Sequence, residues 1–267
     1  MPCELSKTEL EQRRSRIQSI ILKIKLRSFE EQIKKVNERV FLDFKVAQAQ
    51  EILRSAYEIF KGKIAVALSG GKDSLVALHL TLHTIGSEIP VIFSNTTVEF
   101  PETVLYVRSL SEFWNLNLKI VKPPKSFFEA VHEQGWASHE NRWCCRPFKE
   151  DPALKFMKEN GITAEITGTT RTESIYRRSL TPIKMPHKEP YLIRINPIYD
   201  WNQWEVWKYI NWKNLPYNPL YDMGYRRIGC WCCPLNGPSH YLKLKRTHPK
   251  LFQFLEGFSP KHPYFKS

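Results

Sequence analysis

The sequence predicts an α/β fold, in which a parallel sheet is covered by helices on both faces and is preceded by a helical extension. Short apolar runs alternate with helical patterns from residue 64 onward, and a glycine-rich turn directly follows the first run. This alternation is typical of a parallel sheet, because parallel strands need long crossover connections. Ligands are therefore expected at the carboxyl ends of the strands.

The N-terminal region reads as helix over residues 8–60. Its apolar residues recur mostly at spacings of three and four, with Lys, Arg and Glu between them. A second helical stretch, residues 47–60, ends at a Lys-Gly-Lys stop signal. We expect this extension to pack on the body or on a partner. A membrane-surface role is disfavoured, because acidic residues are mixed into the polar face.

The rest of the chain divides into short segments of each type. Strands are predicted at 64–68, 91–94, 118–121 and 164–167, and helices at 74–84, 102–114, 126–133, 152–160 and 201–210. Residues 182–190, rich in Pro and Lys, are predicted to form a loop, and the last residues a short helix followed by an irregular tail. The predicted domains are the N-terminal helical extension (1–60), a nucleotide-binding domain (61–235) and a basic C-terminal tail (236–267).

Composition limits the class of protein. The chain has 267 residues, of which 42% are hydrophobic and 25% charged, which suits one core with extensions. It has no apolar run of about 18 residues and no apolar signal core, so we expect a cytoplasmic protein without a membrane partner. The net charge of +13 favours polyanionic partners, with the C-terminal tail as the better contact, although charge can also serve solubility alone.

The glycine-rich turn, residues 69–74, is the strongest candidate for a ligand site. It follows a buried-type strand and opens a helix, where backbone N–H groups and the helix dipole favour an anion. Its glycines allow close approach to phosphate oxygens, and its lysine adds positive charge. The predicted phosphate-binding residues are Ser69, Gly70, Gly71, Lys72, Asp73 and Ser74. The spacing is not that of a Walker A motif, and a turn without a ligand is the disfavoured alternative.

The string SGGKDS resembles the pyrophosphate loop of the adenine nucleotide alpha hydrolase-like superfamily, which includes ATP pyrophosphatases and reductases of adenylated sulfate. The resemblance implies a five-stranded parallel sheet that holds an adenine nucleotide. Residues 94–103 resemble the "DTG…FPET" stretch of phosphoadenosine and adenosine phosphosulfate (PAPS and APS) reductases, although Asn95 and Thr97 depart from it. Residues 168–178 are similar to their "G-x-R-x-x-E-S-x-x-R" loop, and the resemblance extends over residues 64–234.

This resemblance implies further roles. Besides residues 69–74, the nucleotide-binding set is expected to include Glu99, Gly168, Arg171, Glu173, Ser174 and Arg177. Guanidinium groups suit phosphate and sulfate oxygens because they donate two parallel hydrogen bonds. Glu173 is expected to orient an arginine, and Arg178 is as well explained as a solvated surface residue. The candidate catalytic residues are Lys72, Arg171 and Cys232.

Five of the six cysteines lie in two clusters, Cys144-Cys145 and Cys230-Trp231-Cys232-Cys233. Four thiolates favour a tetrahedral zinc ion or an iron–sulfur cluster, and buried free thiols are the alternative. The resemblance implies a [4Fe-4S] cluster on Cys144, Cys145, Cys230 and Cys233. Cys232 is then an extra thiol: a spare small residue, an alternative ligand or a reactive group. Trp143 and Trp231 are expected to shield the clusters.

The implied function is reduction of PAPS or APS to sulfite and an adenine nucleotide. The implied partner is a thiol or another electron-donor protein, and the enzyme is expected to be a homo-oligomer. The family reductases carry a nucleophilic cysteine in an "ECGLH"-like tail, whereas no cysteine follows Cys233 here. The thiol would then come from Cys232, from Cys3 or from elsewhere, or electrons would arrive through the cluster.

Two other functions are weighed against this one. An ATP pyrophosphatase-type enzyme would insert sulfur into nucleic acid, as in DNA phosphorothioation or tRNA thiolation. Such an enzyme would use ATP and a desulfurase partner, and its use of ATP is compatible with bound Mg²⁺. The basic tail and the absent nucleophile favour that alternative. A non-catalytic nucleotide or redox sensor is disfavoured, because the phosphate-loop residues are intact.

Overall fold

The structure is a computed structural model that describes residues 7–185 and 192–265, with side chains described from residue 34 onward except Tyr176. Cys3 lies outside the described residues. Helix α1 spans Lys7–Phe60 without interruption, where the sequence suggested two helical stretches. The chain divides within this helix into two units, Met1–Ala47 and Gln48–Ser267. The domain boundaries expected after residues 60 and 235 stay a prediction.

A six-stranded sheet forms the centre of the second unit. Its strands are β1 (Ile64–Ala67), β2 (Val91–Ser94), β3 (Leu118–Val121), β4 (Ala164–Ile166), β5 (Ile183–Lys184) and β6 (Ile193–Ile195). They lie in the order β3-β2-β1-β4-β6-β5, and all neighbours are parallel except β5 and β6. The predicted α/β class with five parallel strands is confirmed. The antiparallel edge strand β5 lies where a loop was expected, because a two-residue strand has no detectable period.

Helices connect and flank these strands. They are α2 (Lys72–Thr84), α3 (Pro101–Phe113), α4 (Phe127–Gln134), α5 (Asp151–Glu159), α6 (Gln203–Lys213), α7 (Pro238–Thr247) and α8 (Pro249–Gly257). Capping boxes begin α4, through Ser126 and Glu129, and α6, through Asn202 and Glu205. Each predicted helix of the body is therefore present within two or three residues of its expected bounds. No helix in the described part of the chain has both the length and the apolar character needed to cross a membrane.

The C-terminal region differs from the predicted short helix and irregular tail. It forms α7, α8 and a 3₁₀ turn at Pro263–Phe265. Tyr241, Leu244, Phe252 and Leu255 are buried in one core cluster that also contains Trp231 and Cys232. The helical spacing of these four residues is interrupted by Pro249, which begins the second helix. The region therefore packs against the segment that carries the second cysteine cluster.

Candidate functional site

Residues 69–74 form the turn between β1 and α2, at the carboxyl end of the most central strand. Gly70 has a φ of 75°, and a Cβ atom added there would lie 2.6 Å from Thr103 Cγ2. Both the left-handed backbone and this close approach require glycine. Gly71 is the N-cap of α2 and has no side chain that could cover the helix end. The turn is therefore an open helix N-terminus at the edge where parallel sheets bind ligands.

Hydrogen bonds between the two serines hold this turn in shape. Ser74 Oγ donates to the carbonyl oxygen of Gly71 at 2.8 Å and accepts the N–H of Ser69 at 3.2 Å. Ser69 Oγ and Ser74 Oγ lie 3.0 Å apart. In contrast, the N–H groups of Asp73 and Ser74 have no acceptor within the described residues. Two backbone donors thus remain free for an anion.

Lys72 and Asp73 supply the charges at the turn. Lys72 is 5% exposed, and its Nζ lies 2.6 Å from Asp73 Oδ2. The Lys72 N–H donates to the hydroxyl oxygen of Tyr221 at 2.9 Å. The lysine ammonium therefore lies at the helix mouth with a carboxylate as counterion.

The loop after β4 packs directly on the turn. A Cβ atom added to Gly168 would lie 2.4 Å from the carbonyl carbon of Asp73 and 2.5 Å from the N atom of Ser74. Thr170 and Glu173 then form a capping box around the 3₁₀ segment Arg171–Glu173. The Glu173 carboxylate also accepts a hydrogen bond from the Arg177 guanidinium, the geometry expected of a residue that orients an arginine. Ser174 is exposed and lies between the two 3₁₀ segments of this loop.

The structure separates the roles of the arginines in this loop. Arg171 stacks on the ring of Tyr199, with 4.6 Å from its Cζ to the ring centroid, and its Nε donates to the carbonyl oxygen of Leu180 at 2.6 Å. Arg171 is thus held between the end of its own loop and Tyr199, which follows β6. The pKa of Arg177 is lowered by burial and by Arg227, while Asp73 acts in the opposite direction. Arg177 therefore lies within electrostatic range of both the phosphate turn and Arg227.

Glu99 lies beside the second cysteine cluster. Its carboxylate accepts a hydrogen bond from the Thr96 hydroxyl at 2.8 Å, and the same hydroxyl oxygen is 3.6 Å from Cys230 Sγ. Burial raises the pKa of Glu99, and burial followed by the Glu99 carboxylate raises the pKa of Cys230. The Trp231 N–H donates to the carbonyl oxygen of Val98 at 3.0 Å, which ties the two segments together.

The four predicted ligand cysteines form one electrostatic group. A hydrogen bond between Cys144 and Cys145 lowers the pKa of Cys145 to about 6 and raises that of Cys144. Burial, and to a lesser extent Cys230 and Cys233, further raises the pKa of Cys144, while burial and then Cys145 raise that of Cys233. Cys144 and Cys230 also pack against the same core cluster, so the fold brings the two cysteine clusters together.

Cys232 stands apart from this group. Its side chain is fully buried in the core cluster, and burial raises its pKa well above its ordinary value. A nucleophilic thiol needs access to substrate and an accessible thiolate. This environment disfavours the predicted catalytic role of Cys232 and suits the interpretation as a small core residue.

The residues around the cysteines suit a thiolate-bound cluster in their chemical type. The indole N–H of Trp143, the residue before Cys144, is buried and has no partner within the described residues, so it is free to donate to a cluster sulfur. Trp231 is 5% exposed and lies in the core cluster against which Cys230 packs. No three His, Cys, Asp or Glu side chains of the described segments converge on a point that one metal ion could occupy.

Three site residues were missed in the sequence. Tyr221 reaches the phosphate turn, Asn218 donates to the carbonyl oxygen of Gly70 at 3.2 Å, and Arg227 acts on both Arg177 and Cys233. Arg227 had a usable signal, because it stands in a basic pair shortly before Cys230. The other two lie far from the turn in sequence, in residues 215–224, which belong to the region of family resemblance but for which no role was predicted.

Comparison with solved structures defines the class of fold. The Candida glabrata FMN adenylyltransferase in complex with ATP has a TM-score of 0.54 and 20% identity, covering 72% of this chain and 62% of that one. The U34-tRNA thiolase NcsA from Methanococcus maripaludis, solved with its [4Fe-4S] cluster, has a TM-score of 0.50 and 18% identity, covering 79% and 77%. These similarities show that the chain shares the fold of those two proteins.

Sequence comparison then defines the family. The phosphoadenosine phosphosulfate reductase domain matches residues 63–236. Adenosine 5'-phosphosulfate reductase 2 of Bacillus subtilis is 32% identical, covering 70% of this chain and 79% of that protein. The PAPS reductase from Candida auris, in a phosphate complex, is 29% identical with a TM-score of 0.58, covering 71% and 94%. The chain belongs to the PAPS reductase family.

Other relatives are longer than this chain. Two uncharacterized proteins of Methanocaldococcus jannaschii are 35% and 33% identical to it, and the chain spans 45% and 58% of their lengths. The chain therefore spans about half the length of these relatives.

Proposed function

We propose that this chain reduces an adenylated sulfate, APS or PAPS, to sulfite. One observation carries the proposal: the loop that carries Arg177 packs through Gly168 on Asp73 and Ser74 of the phosphate turn. Arg177 lies within electrostatic range of Asp73 and of Arg227, and Arg227 lies within electrostatic range of Cys233. These two arginines, called here the basic bridge, thus put positive charge near both the anion-binding turn and the cysteine group. Family relatives named as reductases of APS and PAPS support the same substrate class.

The phosphosulfate is assigned to the mouth of α2. The free N–H groups of Asp73 and Ser74, the Lys72 ammonium and the Arg177 guanidinium would surround its oxygens, and Gly168 leaves room for them. Preorganised donors stabilise the negative charge that the leaving adenylate gains. The loop that carries Arg177 is, in this proposal, held in shape by Arg171, Glu173 and Ser174.

The reaction breaks the bond between the sulfuryl sulfur and the oxygen that bridges it to the adenylate phosphate. Two electrons come from a dithiol partner, so that APS and a dithiol give AMP, sulfite, a disulfide and two protons, and PAPS gives its 3'-phosphorylated adenylate instead. The electron donor is therefore a dithiol, free or protein-bound. Cys232 has no part in this scheme, because its thiol is enclosed in the core.

The cysteine group is assigned to a [4Fe-4S] cluster held by Cys144, Cys145, Cys230 and Cys233. Their mutual electrostatic coupling, the free indole N–H of Trp143 and the cluster of the fold-related thiolase support this assignment. When bound, the cluster supplies a redox-active centre next to the basic bridge.

Sulfur insertion into nucleic acid with ATP is the second candidate. It is favoured by the net charge of +13 and by the structural likeness to a tRNA thiolase. It would place the pyrophosphate of ATP, with Mg²⁺, on the same turn and would need a sulfur-donor partner.

The test incubates anaerobically purified protein with APS, with PAPS, and with ATP plus tRNA or DNA, each in the presence of a dithiol. We expect sulfite and an adenine nucleotide from one or both sulfonucleotides, and no pyrophosphate from ATP. Pyrophosphate from ATP without sulfite from either sulfonucleotide contradicts the reductase and supports the second candidate.

A further inference from the structure

The hydroxyl group of Tyr221 stands at the mouth of α2, although the motifs of the phosphate turn do not include it. Its oxygen accepts the N–H of Lys72 at 2.9 Å. It also lies 3.5 Å from the place that a Cβ atom on Gly71 would take. A phenol that accepts one hydrogen bond still has its own proton to donate. Within the described residues that proton has no acceptor.

The position of this hydroxyl is fixed from several sides. Tyr221 ends the 3₁₀ segment Pro219–Tyr221, which Asn218 begins. The Asn218 side-chain amide donates to Gly70 O at 3.2 Å and to Thr103 Oγ1 at 3.0 Å, and its oxygen accepts the Leu220 N–H at 3.1 Å. The ring of Tyr221 packs edge-on against Trp207 at a centroid distance of 5.0 Å. The hydroxyl is therefore held in place before any ligand binds.

The Tyr221 side chain is only partly buried and borders solvent on one side. Tyr221 lines an open cavity of about 510 Å³, together with Trp207, Tyr217 and Arg226. Burial raises the pKa of Tyr221 above its ordinary value, so the phenol keeps its proton at neutral pH. A neutral donor beside two free backbone N–H groups suits a non-bridging oxygen of an anion.

We infer that Tyr221 is a further substrate-binding residue, whose O–H donates to a phosphoryl or sulfuryl oxygen of the nucleotide held on residues 69–74. The inference rests on the proposed binding of an adenylated anion at this turn, but not on which anion is bound. The Lys72 N–H polarises the phenol by donating to it, which strengthens the bond that the phenol donates in turn.

Tyr221→Phe tests this inference, with Tyr217→Phe as the matched control. Both rings pack edge-on against Trp207, at 5.0 and 5.2 Å, but the Tyr217 hydroxyl donates to Asp222 at 3.0 Å. Calorimetric titration with APS and with ATP should show Tyr221→Phe binding about 10-fold or more weakly than the wild type, the usual effect of losing a hydrogen bond to a charged group. Tyr217→Phe should stay within about 2-fold of the wild type.

Two further measurements distinguish a failure of this inference from a structural effect of the substitution and from a failure of the reductase function. Adenosine lacks the anion, so its affinity should be equal in all three proteins, and the thermal midpoints should also agree, which excludes a merely structural effect. Wild-type affinity of Tyr221→Phe for both nucleotides overturns the inference. Binding of ATP but not APS overturns the reductase function instead, and the Tyr221→Phe comparison with ATP still decides the inference.

Discussion

Gly168 occupies the point where the loop after β4 meets the first turn of α2. A Cβ atom there would lie within 2.5 Å of backbone atoms of Asp73 and Ser74, so even alanine would push the two segments apart. Pushing the loop and α2 apart matters here because the two N–H groups left free for an anion belong to Asp73 and Ser74. A glycine is thus required here by close approach, whereas Gly70 also needs a left-handed backbone.

We therefore expect Gly168→Ala to weaken adenine nucleotide binding by about 10-fold or more, which corresponds to about 1.4 kcal/mol. Displacement of the Asp73 and Ser74 N–H groups is the physical reason. Gly257→Ala is the matched control, because a Cβ atom there has no neighbour within 4 Å. Titration with APS and with ATP measures the effect. Equal affinities of Gly168→Ala and Gly257→Ala would show that the turn tolerates the displacement.

Single residues differ in how far the sequence could predict their roles. The position of residues 69–74 in a turn between a strand and a helix was predictable, because the strand, the glycines and the helix start are adjacent in sequence. Arg171 and Arg177 belong to one motif, yet Arg171 stacks on Tyr199 and Arg177 pairs with Glu173 beside Asp73. That difference depends on tertiary neighbours that no local pattern contains. The burial of Cys232 likewise depends on α7 and α8, which cover it.

The packing of α2 against α6 buries a histidine away from the nucleotide site. His79 is 8% exposed, and its Nδ1 lies 2.8 Å from the hydroxyl oxygen of Tyr209. Its ring stacks on His83, and its pKa is lowered to about 4 by burial, by His83 and by Lys213. The folded protein therefore holds His79 neutral where the unfolded chain, with an ordinary pKa near 6.5, becomes protonated.

This pKa shift predicts a loss of stability in acid. The stabilising contribution of neutral His79 is complete above pH 6.5 and is lost progressively as the pH falls from 6.5 to about 4. Between pH 7 and 4.5, we expect the wild type to lose on the order of 2 kcal/mol more in its free energy of unfolding than His79→Asn. Urea unfolding at several pH values measures it, with the exposed His132→Asn as control. Identical pH slopes for wild type and His79→Asn would contradict the assignment.

Elements with a clear period were predictable, and the irregular ones were not. The apolar runs of β1 to β4 and the capping signals of α4 and α6 predicted real segments within two or three residues. Strand β5 has two residues and pairs only at an edge, so it carries no pattern. The C-terminal helices were underestimated because Pro249 interrupts their apolar spacing.

At the scale of the whole molecule, the fold gathers two cysteine clusters that are distant in sequence. Cys144 and Cys145 precede α5, whereas Cys230 and Cys233 follow the last strand, and their thiols affect one another's ionisation. Two side chains of α7 bind the backbone of the second cluster. The Tyr241 hydroxyl donates to the carbonyl oxygen of Cys233 at 2.5 Å, and His240 Nε2 lies 2.8 Å from the carbonyl oxygen of Trp231. The sequence showed the thiols, but not the helix that supports them.

Iron content tests the assignment of these thiols. We expect anaerobically purified wild type to contain iron and acid-labile sulfide, and Ser substitution of Cys144, Cys145, Cys230 or Cys233 to remove most of both. Cys232→Ala should retain them, because its side chain belongs to the core and not to the cysteine group. Stoichiometric zinc in a colourless wild type, or full iron in the four Ser variants, would contradict the cluster.

The central claim is that the phosphate turn and the basic bridge hold the anionic end of an adenylated sulfate. Its most direct test is the dissociation constant of APS, measured by anaerobic calorimetry for wild type, Arg177→Met and Arg178→Met. Arg178 is the matched control, since it is the neighbouring arginine and is exposed. The account predicts that Arg177→Met binds about 10-fold or more weakly and that Arg178→Met stays within about 2-fold of wild type. Equal affinities of the three proteins, or no binding by the wild type, would contradict it.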